Sequence, residues 1–184
     1  VGAAFAQTRD LAKLGRSIMR SLVMDARETV NISVMHSDGV CYVAQMRASE
    51  RGSALARPGG KLPVHTSASG KAILAYLPEK EVDNFLATKR LVARTRLSIT
   101  EPQRLKAELG AIRTRGVAVD DQENAPDMRC LAAVVFDEEQ RPHASLSISG
   151  PISRLSDDRL GDLGEALAAA ARRMTAEIGG RVAA

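Results

Sequence analysis

The hydrophobic and polar positions follow two different periods along this chain, and the periods separate predicted helices from predicted strands. Between about Phe5 and Glu28, apolar residues recur at helical spacing, at Leu11, Leu14, Ile18 and Leu22. This narrow stripe predicts a long leading helix, which is typical of a connector between domains or of a dimer-forming arm. A plain core helix of the same domain fits the spacing equally well.

Two strands are predicted after the leading helix. Residues Asn31 to Met35 alternate, and Val40 to Met46 are apolar with β-branched and aromatic members. Between these runs lies Ser37-Asp38-Gly39, and Asp-Gly is a strong signal for a tight hairpin. The next segment, Ala48 to Gly60, is rich in glycine and arginine, which predicts a loop, and loops often carry binding residues.

The middle of the chain predicts short helices after one more extended stretch. Lys61 to Ser67 is predicted to be extended, with Pro63 at an edge or entry position. Gly70 to Leu77 predicts a short apolar helix that Pro78 ends, and Glu79 to Leu86 predicts a second short helix.

Clearer signals mark the segments that follow. Thr100-Glu101-Pro102-Gln103 has the pattern of a capping box with proline in the first turn, and it opens a helix that ends at Gly116. Leu131 to Phe136 is a continuous apolar strand, and His143 to Ser149 alternates strictly after a polar turn at Asp137 to Pro142.

The last segment predicts a helix capped by Ser156. Asp157-Asp158 lies in its first turn and Arg172-Arg173 in its last, which suits the helix dipole, and Gly179-Gly180 ends it. Hairpins with flanking helices, without regular strand–helix alternation, predict an α+β fold with a mainly antiparallel sheet.

The composition narrows the classes of function. The 184 residues carry a net charge of +4 that is spread along the chain, with no Trp, two Tyr and three Phe. A nucleic-acid surface normally shows a concentrated basic stripe with aromatic residues. No run approaches the ~18 apolar residues of a membrane span, and the opening residues lack the zones of a signal peptide. The two cysteines, Cys41 and Cys130, form no C-x-x-C pair, which indicates a reducing compartment and hence the cytoplasm.

Familiar catalytic motifs do not occur in the sequence. Gly60-Lys61 and Gly70-Lys71 lack the Ser or Thr that follows the lysine of a phosphate loop. Neither a G-x-S-x-G elbow nor an H-E-x-x-H helix is found. We therefore expect a domain that is not an enzyme.

Two chemical alternatives stay open at this stage. The three histidines have no ligand spacing, so neither a metal nor a cofactor is predicted, although His65, Asp120 and Cys130 could meet in space. Cys130 with a histidine base would give a hydrolase or amidase acting on a small acid or amide.

The strand His143 to Ser149 carries the most informative polar pattern. With a period of two, Ser145, Ser147 and Ser149 share one face, and the apolar residues between them share the other. Three small hydroxyl groups in a row leave space and offer hydrogen-bond donors, which suits the floor of a pocket. A helix packed closely against small residues explains the same pattern.

A second polar feature precedes the first short helix of the middle segment. His65 to Gly70 runs directly into this helix, whose first backbone N–H groups are unpaired and can receive a carboxylate. Ser67 as an ordinary helix cap is the simpler interpretation.

Taken together, several segments resemble the effector-binding domain of IclR-type bacterial transcription regulators. Their order and spacing fit the family over nearly the whole chain, which is a more specific signal than any one motif. The matching blocks are GKLPVHTSASGKAILA at Gly60 to Ala75, RGVAVDDQE at Arg115 to Glu123, MRCLAA at Met128 to Ala133, and SISGPISR at Ser147 to Arg154.

The resemblance implies a fold similar to GAF domains, with a curved antiparallel sheet, helices on its faces and an effector pocket on one side. It implies a linker helix at residues 1–29 and an effector-binding domain at residues 30–184. It also implies association into dimers or tetramers, and operator binding only through an upstream winged helix-turn-helix domain that this sequence does not contain.

The resemblance also implies a set of site residues. In members that sense small 2-oxo acids, two backbone amides at the turn before the Gly-Lys helix hold the carboxylate, a polar shell completes the site, and apolar residues line it. The corresponding residues are Ala68 and Ser69 for the amides, Asp120, Cys130, Ser147 and Ser149 for the shell, and Leu62 and Met128 for the lining. Those members usually carry Gly-Ala at the turn, and the variable loop Arg51 to Ala56 also lines the pocket.

The function expected from the sequence is therefore a sensor of a small organic acid, of the glyoxylate or pyruvate kind, that controls oligomeric state and DNA binding. An enzyme with Cys130 as nucleophile and an oligomerisation module with a vestigial pocket are the alternatives.

Overall fold

A computed structural model describes residues 11–37, 39–48 and 58–182. Within these ranges six strands form one sheet in which every neighbouring pair is antiparallel, in the order β3-β2-β1-β6-β5-β4. The strands are β1 (Thr29–His36), β2 (Gly39–Met46), β3 (Lys61–Leu62), β4 (Ala118–Asp121), β5 (Met128–Phe136) and β6 (Pro142–Pro151). The helices that flank them are α1 (Arg16–Ala26), α2 (Ala68–Leu74), α3 (Glu79–Thr88), α4 (Pro102–Arg115) and α5 (Asp157–Glu177). The predicted α+β class with an antiparallel sheet is confirmed.

The predicted leading helix is present, with a local break. Residues 11–14 are helical, Gly15 forms a turn, and α1 follows. Ile18 and Leu22 are buried, as their spacing predicts, whereas Leu14 is 43% exposed. Position 15 holds a glycine because the helix lies close to β1 there: a β-carbon would lie 2.6 Å from Cδ1 of Ile32. The part of the prediction that covers residues 5–10 lies outside the described residues.

The predicted hairpin is also present, with one irregularity in its register. His36 pairs with Gly39 at its tip, and the register shifts between Ile32 and Ser33. Gly39 allows β3 to approach, because a β-carbon there would lie 2.6 Å from the carbonyl oxygen of Leu62. Most of the predicted loop at residues 48–60 lies outside the described residues.

Three local predictions are wrong in detail. The extended stretch predicted at residues 61–67 is a strand only at Lys61–Leu62, because the chain turns at once into α2, which begins at Ala68. The cap of α4 is Glu101 and makes no side-chain cap bond, so the predicted capping box does not form around Thr100. Pro102 does open this helix, and Gly116 ends it with a left-handed φ of 76°.

The third error concerns the final helix. Because α5 continues to Glu177, Arg172-Arg173 does not lie in its last turn, which holds no basic residue. Asp157-Asp158 lies in the first turn as predicted, and Gly179 follows the helix with a φ of 80°.

The two faces of the sheet bury two different cores. Helices α1 and α5 cover the face that carries Ile32, Leu131 and Leu146. Helices α2, α3 and α4 supply the core on the other face, which carries Val40, Cys130 and Ala132. Within the described ranges no helix is long and apolar enough to cross a membrane.

Candidate functional site

The predicted polar residues converge on the face of the sheet that α2 covers. Asp120, Cys130 and Ser149 are direct neighbours across β4, β5 and β6, since Asp120 pairs with Cys130 and Cys130 pairs with Ser149. Ser147 lies one same-face position further along β6. All four side chains are at most 4% exposed. The alternation of β6 is confirmed, because Leu146 packs in the opposite core.

Both serines are held by a residue that sequence reasoning missed. Asn31 of β1 lies opposite Ser147, and its Nδ2 donates to Ser149 Oγ at 3.2 Å and to Ser147 Oγ at 3.5 Å. Asn31 is fully buried. The available signal was an amide within an alternating strand of the sheet, because a buried Asn needs polar partners.

Asn31 is in turn held by Gln45 of β2, which is itself held by Arg47 just after the end of that strand. Gln45 Nε2 donates to Asn31 Oδ1 at 2.9 Å, and Arg47 Nε donates to Gln45 Oε1 at 3.2 Å. Gln45 is partly buried and Arg47 is exposed. A chain of side-chain hydrogen bonds therefore leads from the surface to the two serines.

Asp120 is held in place by the turn that follows β4. Its Oδ1 accepts backbone N–H bonds from Glu123 at 2.8 Å and from Asn124 at 3.2 Å. Burial raises the pKa of the Asp120 carboxyl to about 7, despite these bonds and the nearby Lys71 ammonium, which lower it. Asp120 is therefore a carboxyl group whose charge changes near neutral pH.

Lys71 anchors the same turn from α2. Its fully buried Nζ donates to the carbonyl oxygen of Val119 at 2.7 Å and forms a short ion pair with Glu123 Oε1. Burial raises the pKa of Glu123. The lysine of the Gly-Lys pair thus binds the chain on both sides of Asp120 rather than a phosphate.

Cys130 is a buried thiol. Burial raises its pKa well above the usual value and the charge of Asp120 raises it further, while a hydrogen bond from Ser149 lowers it. Tyr42 of β2, which was not predicted, is also buried; burial raises its pKa, and Cys130 and Asp120 add to the rise. A thiol whose ionised form is disfavoured is a poor nucleophile. The chemistry of Cys130 therefore suits packing against a ligand better than covalent catalysis.

The N-terminus of α2 lies over this face of the sheet. Ser67 caps the helix, and its Oγ accepts from the backbone N–H of Gly70 at 3.1 Å. This leaves the N–H groups of Ala68 and Ser69 without an acceptor among the described residues. Ser69 also contacts the sheet, because Ser33 Oγ donates to Ser69 Oγ at 3.4 Å. The two predicted amides are therefore both buried and available.

The predicted apolar lining shares this face. Leu62 is buried and pairs with Val40, while Met128 is half-buried and lies one same-face position from Cys130. The predicted contribution of Arg51 to Ala56 falls outside the described residues.

The structure does not bring the histidines into this site. His65 Nε2 contacts the carbonyl oxygen of Val92 at 3.0 Å, and burial lowers its pKa. In the described part of the chain no group of three or more His, Cys, Asp or Glu side chains has the arrangement of a metal site. What the site offers is a set of buried neutral donors beside one titratable carboxyl group, which suits the recognition of a small anion.

Known proteins of one family match this chain over nearly its whole length. Residues 3–176 match the family model of the C-terminal part of bacterial IclR transcriptional regulators. The transcriptional repressor IclR of Escherichia coli K12 is 41% identical over 182 residues, which make up 98% of this chain and 66% of that repressor. The acetate operon repressor of Salmonella typhimurium is 40% identical with the same coverage. The chain thus spans just under two thirds of the length of these relatives.

Solved structures give the same result. IclR of Thermotoga maritima has a TM-score of 0.88 and 29% identity, covering 92% of this chain and 68% of that one. The C-terminal domain of KdgR from E. coli has a TM-score of 0.82 and 29% identity, covering 92% and 99%. The named relatives are transcriptional repressors, a class of regulators and not of enzymes. The chain therefore belongs to the IclR family of bacterial transcriptional regulators and has the fold of the family's C-terminal domain.

Proposed function

We propose that this chain is the effector-binding part of a transcriptional regulator that senses a small 2-oxo or hydroxy acid of the size of glyoxylate or pyruvate. One observation carries the proposal. Asp120, Cys130, Ser147 and Ser149 lie buried on one face of the sheet, below a helix start whose two free amides are also buried.

The chemistry of the proposed complex follows from these groups. One carboxylate oxygen accepts from the amides of Ala68 and Ser69, and the other accepts from the hydroxyl groups of Ser147 and Ser149. Cys130 packs beside the carbonyl group of the acid. Asp120 accepts from a hydroxyl group, a hydrated carbonyl or a bound water, or donates when it is protonated.

The regulatory part of the proposal rests on the relatives. As the resemblance to the family implies, we assign operator binding to a winged helix-turn-helix domain upstream of this part of the regulator. We assign residues 1–29 to the linker helix and 30–184 to the effector-binding domain of a cytoplasmic dimer or tetramer. A ligand changes DNA binding only if it prefers one of two quaternary arrangements of this assembly.

The test is the binding of glyoxylate and pyruvate to the purified domain, measured by calorimetry. Ser147→Ala combined with Ser149→Ala should weaken binding by roughly 2–4 kcal/mol, because two hydrogen bonds to a charged group are lost. Ser145→Ala is the matched control, since Ser145 lies on the same face of β6 and its Oγ has no partner in the described chain.

Two outcomes oppose the proposal in different ways. Unchanged binding by the double variant would show that the acid sits elsewhere. An absence of binding by any small acid would favour a purely oligomerising module.

A further inference from the structure

The hydrogen-bond chain that ends at the two serines has a direction fixed by its outer member. An arginine side chain can only donate hydrogen bonds, so the Gln45 atom bonded to Arg47 must be the amide oxygen. The other end of the Gln45 amide is then its NH₂ group, which donates to Asn31 Oδ1.

The same logic fixes the orientation of Asn31. Because Oδ1 accepts from Gln45, the NH₂ group of Asn31 faces β6, and its two hydrogens reach Ser147 Oγ and Ser149 Oγ. Each serine oxygen therefore acts as an acceptor towards Asn31. Neither serine therefore uses its hydroxyl hydrogen on Asn31, so each can donate to a partner on the other side, which for Ser149 includes the Cys130 sulfur.

We infer that Asn31 is a positioning residue which, oriented by Gln45 and Arg47, presents Ser147 and Ser149 as hydrogen-bond donors and so makes the site favour groups that accept. An ionised carboxylate accepts at both of its oxygens. A carboxamide accepts at one position only, and at the other its NH₂ group would point a hydrogen at a serine hydrogen. This inference rests on the proposed function and adds to it the source of selectivity for an acid over its amide.

Burial explains why the orientation is strict. Asn31 is fully buried, and Ser147 and Ser149 are 2% and 1% exposed, so water cannot supply a missing donor or acceptor. Reversing the amide of Asn31 would therefore reverse the hydrogen bonds of both serines. Gln45 is the place to reverse it, because this residue bonds Asn31 directly and Asn31 carries the contacts to both serines.

The experiment uses Gln45→Glu, with pyruvate and its neutral amide pyruvamide as probes in NMR titrations. The introduced carboxylate only accepts, so it takes the bonds of both Arg47 and the Asn31 NH₂, and Asn31 turns its oxygen towards the serines. Both serines then donate to Asn31 and face the site as acceptors. We expect pyruvate to bind about ten-fold or more weakly, and pyruvamide to bind more tightly than it binds the wild-type chain.

A matched variant separates reversal of the Asn31 amide from simple loss of the Gln45 hydrogen bonds. Gln45→Met has nearly the same length and removes both bonds without reversing them, so it should weaken pyruvate binding less and leave pyruvamide binding unchanged. Weaker pyruvate binding by Gln45→Glu with unchanged pyruvamide binding would show an effect of charge alone and overturn the inference. Unchanged binding of both probes would overturn it as well.

A measurement without ligand keeps the inference independent of the proposed function. In the wild-type chain, nuclear Overhauser effects should connect the Asn31 NH₂ protons to the β-protons of Ser147 and Ser149. In Gln45→Glu they should instead connect these protons to the side chain at position 45. If the wild-type chain binds neither probe, the proposed function fails, and the Overhauser contacts alone decide the orientation of Asn31.

Discussion

The buried carboxyl group of Asp120 makes the stability of this domain depend on pH. Its pKa is raised by burial from 3.8 to about 7, so the folded state keeps the proton over a range in which the unfolded chain has released it. Protonated Asp120 therefore contributes stability that is complete below pH 3.8 and is lost as the pH rises through about 7.

Asp120→Asn should remove this dependence. Between about pH 5 and about pH 8 the wild-type chain should lose roughly 2–3 kcal/mol of unfolding free energy relative to the variant, measured by urea denaturation. Asp83→Asn, at the half-exposed carboxylate that Lys106 contacts, serves as the control. Equal pH slopes for the wild-type chain and Asp120→Asn would contradict the assignment of this titration to Asp120.

The same carboxyl group should make effector binding depend on pH. A bound carboxylate brings a second negative charge near Asp120, so the complex favours the protonated form. Pyruvate affinity should be constant below about pH 6 and fall by up to about ten-fold per pH unit above about pH 7. Calorimetry in two buffers of different ionisation enthalpy measures the accompanying proton uptake. Asp120→Asn should bind without proton uptake, and uptake that persists in this variant would point to another group.

At the scale of single residues, what was predicted depended on local patterns. Ser147 and Ser149 followed from alternation within one strand, whereas Asp120 and Cys130 came only from the resemblance to a family. Asn31 was missed because its role depends on the pairing of β1 with β6, more than a hundred residues apart in sequence. Such pairing sets which polar groups meet, and no local pattern encodes it.

At the scale of elements, the position of α2 depends on a glycine. A β-carbon at Gly70 would overlap the backbone of Val64, including its carbonyl oxygen, so the helix start can reach its place only without a side chain there. Gly70→Ala should therefore displace the amides of Ala68 and Ser69. We expect a loss of roughly 1–3 kcal/mol in unfolding free energy and of pyruvate binding.

Gly110→Ala in α4 is the control for this prediction. The nearest atom to a β-carbon there is 3.8 Å away, in the side chain of Arg113, so alanine should stabilise the helix by about 0.5–1 kcal/mol. If Gly70→Ala behaved like Gly110→Ala, the close approach at α2 would not control the site.

The element predictions were accurate where periodicity extended over many residues and less accurate at boundaries. The long periods of β5, β6 and α5 gave strands and a helix in the right places. The boundaries near Ser67 and Thr100 depended on local capping contacts that periodicity does not reveal. Ser67 bonds both Pro63 and Gly70, which starts α2 early, while Glu101 occupies the cap position that Thr100 was expected to influence.

At the scale of the whole molecule, the leading helix is joined to the strand that carries the serines. Thr29 pairs with Ser149, and the next residue, Gly150, lacks a side chain where the buried Glu28 carboxylate packs. Glu28 accepts two hydrogen bonds from Arg154. The pairing of Thr29 with Ser149 and the packing of Glu28 on Gly150 thus provide a contact route between the candidate site and the end of α1.

Glu28→Gln should weaken this connection while keeping the shape of the side chain. In the wild-type chain, pyruvate should slow hydrogen exchange both in β6 and at the end of α1, as measured by mass spectrometry. The variant should bind pyruvate with an affinity within about two-fold of the wild-type value, because the neutral amide fills the same space, yet its protection should stay confined to β6. Glu81→Gln removes the exposed contact with Arg141 and should behave like the wild-type chain in both respects. Protection that still reached α1 in Glu28→Gln would show that the ion pair is not what joins the helix to the site, and would leave the backbone pairing of Thr29 with Ser149 as the route between them.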